Sequence, residues 1–225
     1  MRYILLILGI CCQTTFAARP LVTDDAKTTD AGDCQLESWY RQNHHNHEFW
    51  ALPNCGLTPR LDLTIGGGYS NTGNTDYLLQ TKAVLKPFTN DEIGVAFVAG
   101  AVAHPEITRN ANQIANYYAY FPISISFLND QFLVHTNLGW HYDRDIKTHK
   151  ATWGLAFESE INDRWSAIGE TYGDYQEDTY WQTGLRYSII PNVLQIDGSV
   201  GGLFHKARDD KWFSLGIRWS INKLF

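Results

Sequence analysis

Beyond its first dozen residues the sequence has no run of roughly 18 or more apolar residues, the length that a membrane-spanning helix needs. Basic charge is scarce as well. Eighteen Lys and Arg stand against 24 Asp and Glu, a net charge of −6, and no basic cluster marks a nucleic-acid partner. Cysteine occurs only four times, and Cys11 and Cys12 fall in a leader. Arg2, the apolar run ILLILGICC (Ile4–Cys12) and the small residues at Ala17 and Ala18 have the layout of a secretory signal peptide over residues 1–17, cleaved after 17 or 18. An exported chain left with Cys34 and Cys55 is expected to join them in one disulfide. His44, His45 and His47 share one polar loop but lack the ligand pattern of a metal site, so neither a metal nor a cofactor is expected.

What the chain does have is aromatic side chains, with 8 Trp and 12 Tyr, and alternation. Rings with a polar edge suit a membrane interface better than a soluble surface. The C-terminal stretch KWFSLGIRWSINKLF places Phe213, Leu215, Ile217, Trp219 and Ile221 on odd positions, with Ser214, Gly216, Arg218, Ser220 and Asn222 between them. A period of two describes a strand with one dry and one wet face. Twelve such segments follow one another, from Cys34–Gln42 and His47–Cys55 to Val193–His205 and Trp212–Phe225. Most are long enough to cross a bilayer as a tilted strand. Connections after even-numbered segments are short and turn-like, such as Asn129-Asp130 and Pro191-Asn192. Those after odd-numbered segments are longer and more polar, such as PEITRNANQIA and RDIKTHK. A soluble β-sandwich has no reason to sort its loops in this way. The reading is therefore all-β: a transmembrane antiparallel up-and-down barrel of about 12 strands over residues 34–225, in the Gram-negative outer membrane. Residues 18–33 are polar and form a periplasmic or lumen-lining segment before it.

Parity assigns the faces. The apolar set meets lipid, where a charge at mid-bilayer costs about 2–4 kcal/mol. The lumen then carries Glu37, Asp62, Glu158, Glu160, Glu170 and Asp197 against Lys82, Lys86, Arg186 and Arg218. Two readings of that interior stand side by side: ion pairs that fill and stiffen it, or a polar constriction that selects solutes. Cys34 and Cys55 fall opposite each other in a hairpin centred near residues 44 and 45, so their bond clamps the base of the first hairpin. Thr23, Asp24 and Asp25 are candidates for a gate, paired from inside the barrel with Arg186 or Arg218. His135 in HTNLGW invites a hydrolase reading, but Asn137 stands where a same-face serine is needed, and no nucleophile is found on the strand.

Several stretches match a known family. RPLVTDDA at 19–26, CQLESWY at 34–40, ALPNC at 51–55, LDLTIGG at 61–67 and NLGWHYDRD at 137–145 resemble the outer-membrane proteins grouped as the meta-pathway phenol-degradation family. The resemblance implies a twelve-stranded barrel with a proposed role in the passage of small aromatic or other hydrophobic molecules. The final aromatic, Phe225, with apolar residues at alternate places before it, resembles the signal by which barrel assembly machinery recognises its substrates, although Lys223 departs from that pattern. The function expected is an outer-membrane channel or facilitator without catalytic residues. A closed structural or adhesion barrel is the alternative and an outer-membrane hydrolase the third. The partners expected are membrane lipid, the assembly machinery and a small solute.

Overall fold

The computed structural model describes residues 21–71, 75–89, 91–104, 114–144, 147–175, 179–204 and 211–225. The expected leader, residues 1–17, and the tips of several outer loops lie outside these residues. Twelve strands follow in order: β1 (Cys34–Asn43), β2 (His47–Thr58), β3 (Leu61–Ser70), β4 (Thr75–Lys86), β5 (Ile93–Ala103), β6 (Ile114–Phe127), β7 (Phe132–Asp143), β8 (Thr148–Glu160), β9 (Trp165–Asp174), β10 (Thr179–Ile190), β11 (Leu194–Leu203) and β12 (Trp212–Ile221). Each pairs antiparallel with the next, and β1 also pairs with β12, from Cys34 opposite Ile221 to Asn43 opposite Trp212. The sheet is closed. Closure leaves no strand edge, which is the condition for a sheet to sit in hydrocarbon.

The two faces differ as alternation requires. On β12, Leu215 is 60% exposed and Arg218 only 5%. Outward side chains include Ile65, Leu79, Leu138, Leu155, Leu185 and Ile217, all exposed and all apolar. The wall turned inward holds Asp62, Lys82, Glu158, Glu170, Arg186 and Asp197, each buried. An apolar exterior around a buried polar interior is an inside-out globule, and it is the architecture of a Gram-negative outer-membrane barrel.

Register places opposite charges face to face across the interior: Asp62 opposite Lys82, Arg186 opposite Asp197 and Glu37 opposite Arg218. Such directly opposed pairs each favour one register over its neighbours. Cys34 lies opposite Cys55 and is bonded to it, with the Cα atoms 4.1 Å apart. Gly56 N–H donates to the Asp33 carbonyl and Asn43 N–H to that of Asn46. Those positions are hydrogen-bonded pairs, so the cysteines occupy the alternate, closer kind of pair.

Two expectations change. Lys86 does not continue the inward row of β4, because the pairing with β5 shifts between Val84 and Lys86 and leaves Lys86 exposed at the strand's end. A bulge inserts one residue and so breaks parity. The outer connections are also less uniformly long than the sequence implies. β8 starts at Thr148 rather than Thr152, and only residues 104–113 and 204–211 make long ones. The β7–β8 ladder continues past the apolar belt to Asp143 opposite Thr148.

Replacing both Cys34 and Cys55 by Ala should lower the barrel's unfolding free energy by about 3 kcal/mol, the chain-entropy value for a closed loop of this size. Urea unfolding of the lipid-refolded protein, followed by tryptophan emission, measures it.

Candidate functional site

Residues 21–31 form no helix or strand, yet Leu21, Thr23, Asp25 and Ala26 are buried. They lie inside the barrel. Their backbone groups are met by side chains of the wall. Glu170 on β9 accepts Val22 N–H at 2.9 and 3.0 Å and Thr23 N–H at 2.8 Å. With its amide oriented to satisfy both groups, Asn137 on β7 accepts Asp24 N–H at 2.8 Å and donates to the Asp24 carbonyl at 3.0 Å. Ala26 N–H donates to Ser124 Oγ on β6 at 2.9 Å, and Thr29 N–H to Asp62 on β3 at 3.2 Å. The Thr29 hydroxyl bonds Asn54 on β2. A buried peptide group without a partner is costly, and here most partners come from the wall.

Lys82 on β4 is the second hold. Its Nζ donates to Asp24 Oδ1 at 2.8 Å and to the carbonyls of Asp25 and Lys27 at 3.2 and 3.1 Å, and it lies 3.6 Å from Asp25 Oδ1. Tyr120 adds a hydroxyl to Asp24 Oδ2 at 3.1 Å. Two glycines make room. A Cβ on Gly154 would meet Thr23 Oγ1, and one on Gly56 would meet the carbonyls of Thr29 and Asp30.

The gate candidates Thr23, Asp24 and Asp25 thus sit in the lumen, but the partner of the two acids is Lys82 rather than Arg186 or Arg218. Arg186 is taken by Glu158, with Nη1 2.6 Å from Oε2. Arg218 faces Glu37 across β1 and β12. Glu160, at the last position of β8, sits half-buried at the periplasmic rim, apart from this network.

Ser124 does more than hold the segment. Its Oγ is 2.7 Å from His135 Nδ1, and His135 Nε2 is 3.9 Å from Glu158 Oε1. β6 therefore supplies the hydroxyl that β7 lacks. All three side chains are fully buried, and neither cavity described below is lined by them. At this burial the trio is a polar link between segment and wall, Ser124 Oγ accepting Ala26 N–H while it bonds His135 Nδ1.

Above the segment, toward the outer ends of the strands, lie two cavities of about 430 and 350 Å³, both bordered by Val22, Tyr118 and Tyr120. Rings line them. Trp39 and Trp50, paired across β1 and β2, stack with centroids 5.7 Å apart at 11°. Tyr172 and Tyr180, across β9 and β10, stack at 5.3 Å and 11°, and Tyr118 and Tyr120 at 6.0 Å and 19°. The sequence reading gave the aromatics to the membrane interface and missed these. Parity held the signal: Trp39 shares the face of Glu37, and Tyr180 that of Gln182 and Arg186.

A sequence model for the family described as uncharacterised conserved protein UCP029691 matches residues 6–221. The chain belongs to that family. The UCP029691 description carries no phenol-degradation name, and no curated protein matches the chain by sequence. Solved structures share the fold at low identity. The KdgM porin in complex with disordered oligogalacturonate is 11% identical, with a TM-score of 0.69 over 84% of this chain and 99% of that one. The NanC porin is 14% identical, with a TM-score of 0.61 over 83% and 98%. Outer membrane phospholipase A from Escherichia coli is 12% identical, with a TM-score of 0.51 over 94% and 96%. These likenesses place the UCP029691 chain among twelve-stranded outer-membrane barrels and leave its activity to the lumen itself.

Substituting Lys82 by Met removes the shared donor of Asp24, Asp25 and Lys27. Amide exchange at Ala26, Lys27 and Thr29 should then speed up roughly tenfold or more, as expected for loss of charge-assisted hydrogen bonds. Hydrogen-exchange mass spectrometry of the folded barrel reads it.

Proposed function

We propose that this protein is an outer-membrane channel or facilitator for small molecules, entered through the ring-lined outer cavities and narrowed on the periplasmic side by residues 21–31. The observation that carries the reading is the arrangement of inward rings. A barrel meant only to be rigid gains nothing from half-buried tryptophans and tyrosines around empty space, whereas a solute passing through gains a flat surface on which to stack. The resemblance to the phenol-degradation family supports small aromatic or hydrophobic solutes, and the ring faces fit them. KdgM porin, with its bound oligogalacturonate, is a relative in fold; a polyanion of that kind is a poor match for an interior in which Asp24, Asp25 and Asp62 share one lysine.

One observation favours the second reading, a closed barrel. The segment and the Glu158–Arg186 pair occupy the periplasmic half of the lumen and leave the described cavities above them. The two readings differ in whether the segment yields. A hydrolase is the weakest of the three, because Ser124 and His135 are sealed from any substrate.

Asp24→Asn with Asp25→Asn keeps the shape of the segment and removes the charge that Lys82 holds. Single-channel conductance in planar bilayers should rise at least twofold over the parent. An unchanged conductance would dismiss the gate, and silence from correctly folded parent and variant alike would favour the closed barrel.

A further inference from the structure

We infer that the outer vestibule binds small organic cations, such as a quaternary ammonium group, on the ring faces of Trp39, Trp50, Tyr118 and Tyr120. The inference rests on the channel reading and adds the charge of its solute. An aromatic face is electron-rich, and a weakly hydrated cation above it is attracted by the ring quadrupole, most strongly by tryptophan. Three observations point to a cation rather than a neutral ring compound or an anion.

The first is the charge that meets the space. Among the residues lining the larger cavity the carboxylates are Asp24, Glu37 and Glu48, and the only permanent cation is Arg41. The second is the floor. Asp24, Asp25 and Asp62 gather around the ammonium of Lys82, three carboxyl groups to one amine. Arg186 and Arg218 are 3% and 5% exposed and are met at their own depth by Glu158 and Asp197 and by Glu37. The carboxylates named outnumber these cations, and low-dielectric walls focus the resulting negative field along the opening. The third is that the wall already seats a cation in this way. The Arg41 guanidinium lies over the Trp212 ring, 5.5 Å from its centroid, while Glu48 holds its other side at 2.6 Å. Ring below and carboxylate beside is the arrangement that a free organic cation would find next to Trp39 and Trp50.

The test uses the full mature barrel, refolded in detergent, with tryptophan emission as the binding signal. The probes are choline, its uncharged isostere 3,3-dimethylbutanol, and the anion galacturonate. Choline should bind roughly tenfold more tightly than the isostere, a preference of the size that ring–cation contacts give, and galacturonate should be weakest. In Glu37→Gln with Glu48→Gln the preference for choline should fall below about threefold, and in Trp50→Leu choline binding should weaken roughly tenfold, with the folded state of each variant checked by its heat-modifiable mobility in gels. Equal binding of choline and isostere, or tighter binding of galacturonate, would overturn the inference. Conductance and reversal potential in a KCl gradient, measured on the same preparation, separate the two claims. A barrel that conducts without choline preference or cation selectivity keeps the channel reading and loses this one; one that prefers choline but never conducts keeps the site and loses the channel.

Discussion

A peptide group placed in hydrocarbon has no water to bond, and the whole architecture follows from that. Twelve strands satisfy one another only if the last meets the first, and the pairing of β1 with β12 does so over ten positions. Once the sheet is closed, alternation has two destinations and no third. Leu215 goes to lipid and Arg218 to the enclosed interior for the same reason. Every polar side chain that the wall carries at depth is then committed to a confined space, where it meets other wall residues or whatever else is inside.

Confinement explains why the interior is organised as pairs. A buried charge without a partner costs several kcal/mol, and the buried cations Lys82, Arg186 and Arg218 each stand opposite or beside a carboxylate. Arg186 has Glu158 at 2.6 Å and Asp197 across the ladder. Lys82 faces Asp62 on the neighbouring strand and also reaches inward to Asp24 and Asp25. Lys82 therefore belongs to two structures at once: it completes the wall, and it holds the segment.

Much of this was legible in the chain. Parity gave the strands, the closed sheet and the opposition of Cys34 to Cys55, because a period of two and a single short hairpin leave little freedom. What parity does not encode is depth or position around the axis. The sequence offers Arg186 and Arg218 as inward partners for Asp24 and Asp25, whereas the path of residues 21–31 brings these acids to Lys82. Ser124 and His135 meet because β6 and β7 pair with Ser124 opposite His135, a relation between strands that no single-strand motif contains. Lys86 was lost to a bulge, which changes parity without any mark in composition. The inward rings carry a mixed signal: composition assigns tryptophan to a membrane interface, while the parity that Trp39 shares with Glu37 turns it into the lumen.

The wall and the segment differ in what replaces their hydrogen bonds when they move. A strand amide that leaves the ladder would face lipid, which offers nothing in return. A segment amide that leaves Glu170 or Ser124 would face the water of the lumen, which offers nearly an equal bond. The net cost of releasing residues 21–31 is therefore set mainly by the charge contacts at Lys82 and Glu170, and by the small apolar burial of Leu21 and Ala26. Of all the elements described, this segment can change place without breaking the rule that built the barrel, and the gate proposed for Asp24 and Asp25 rests on that difference.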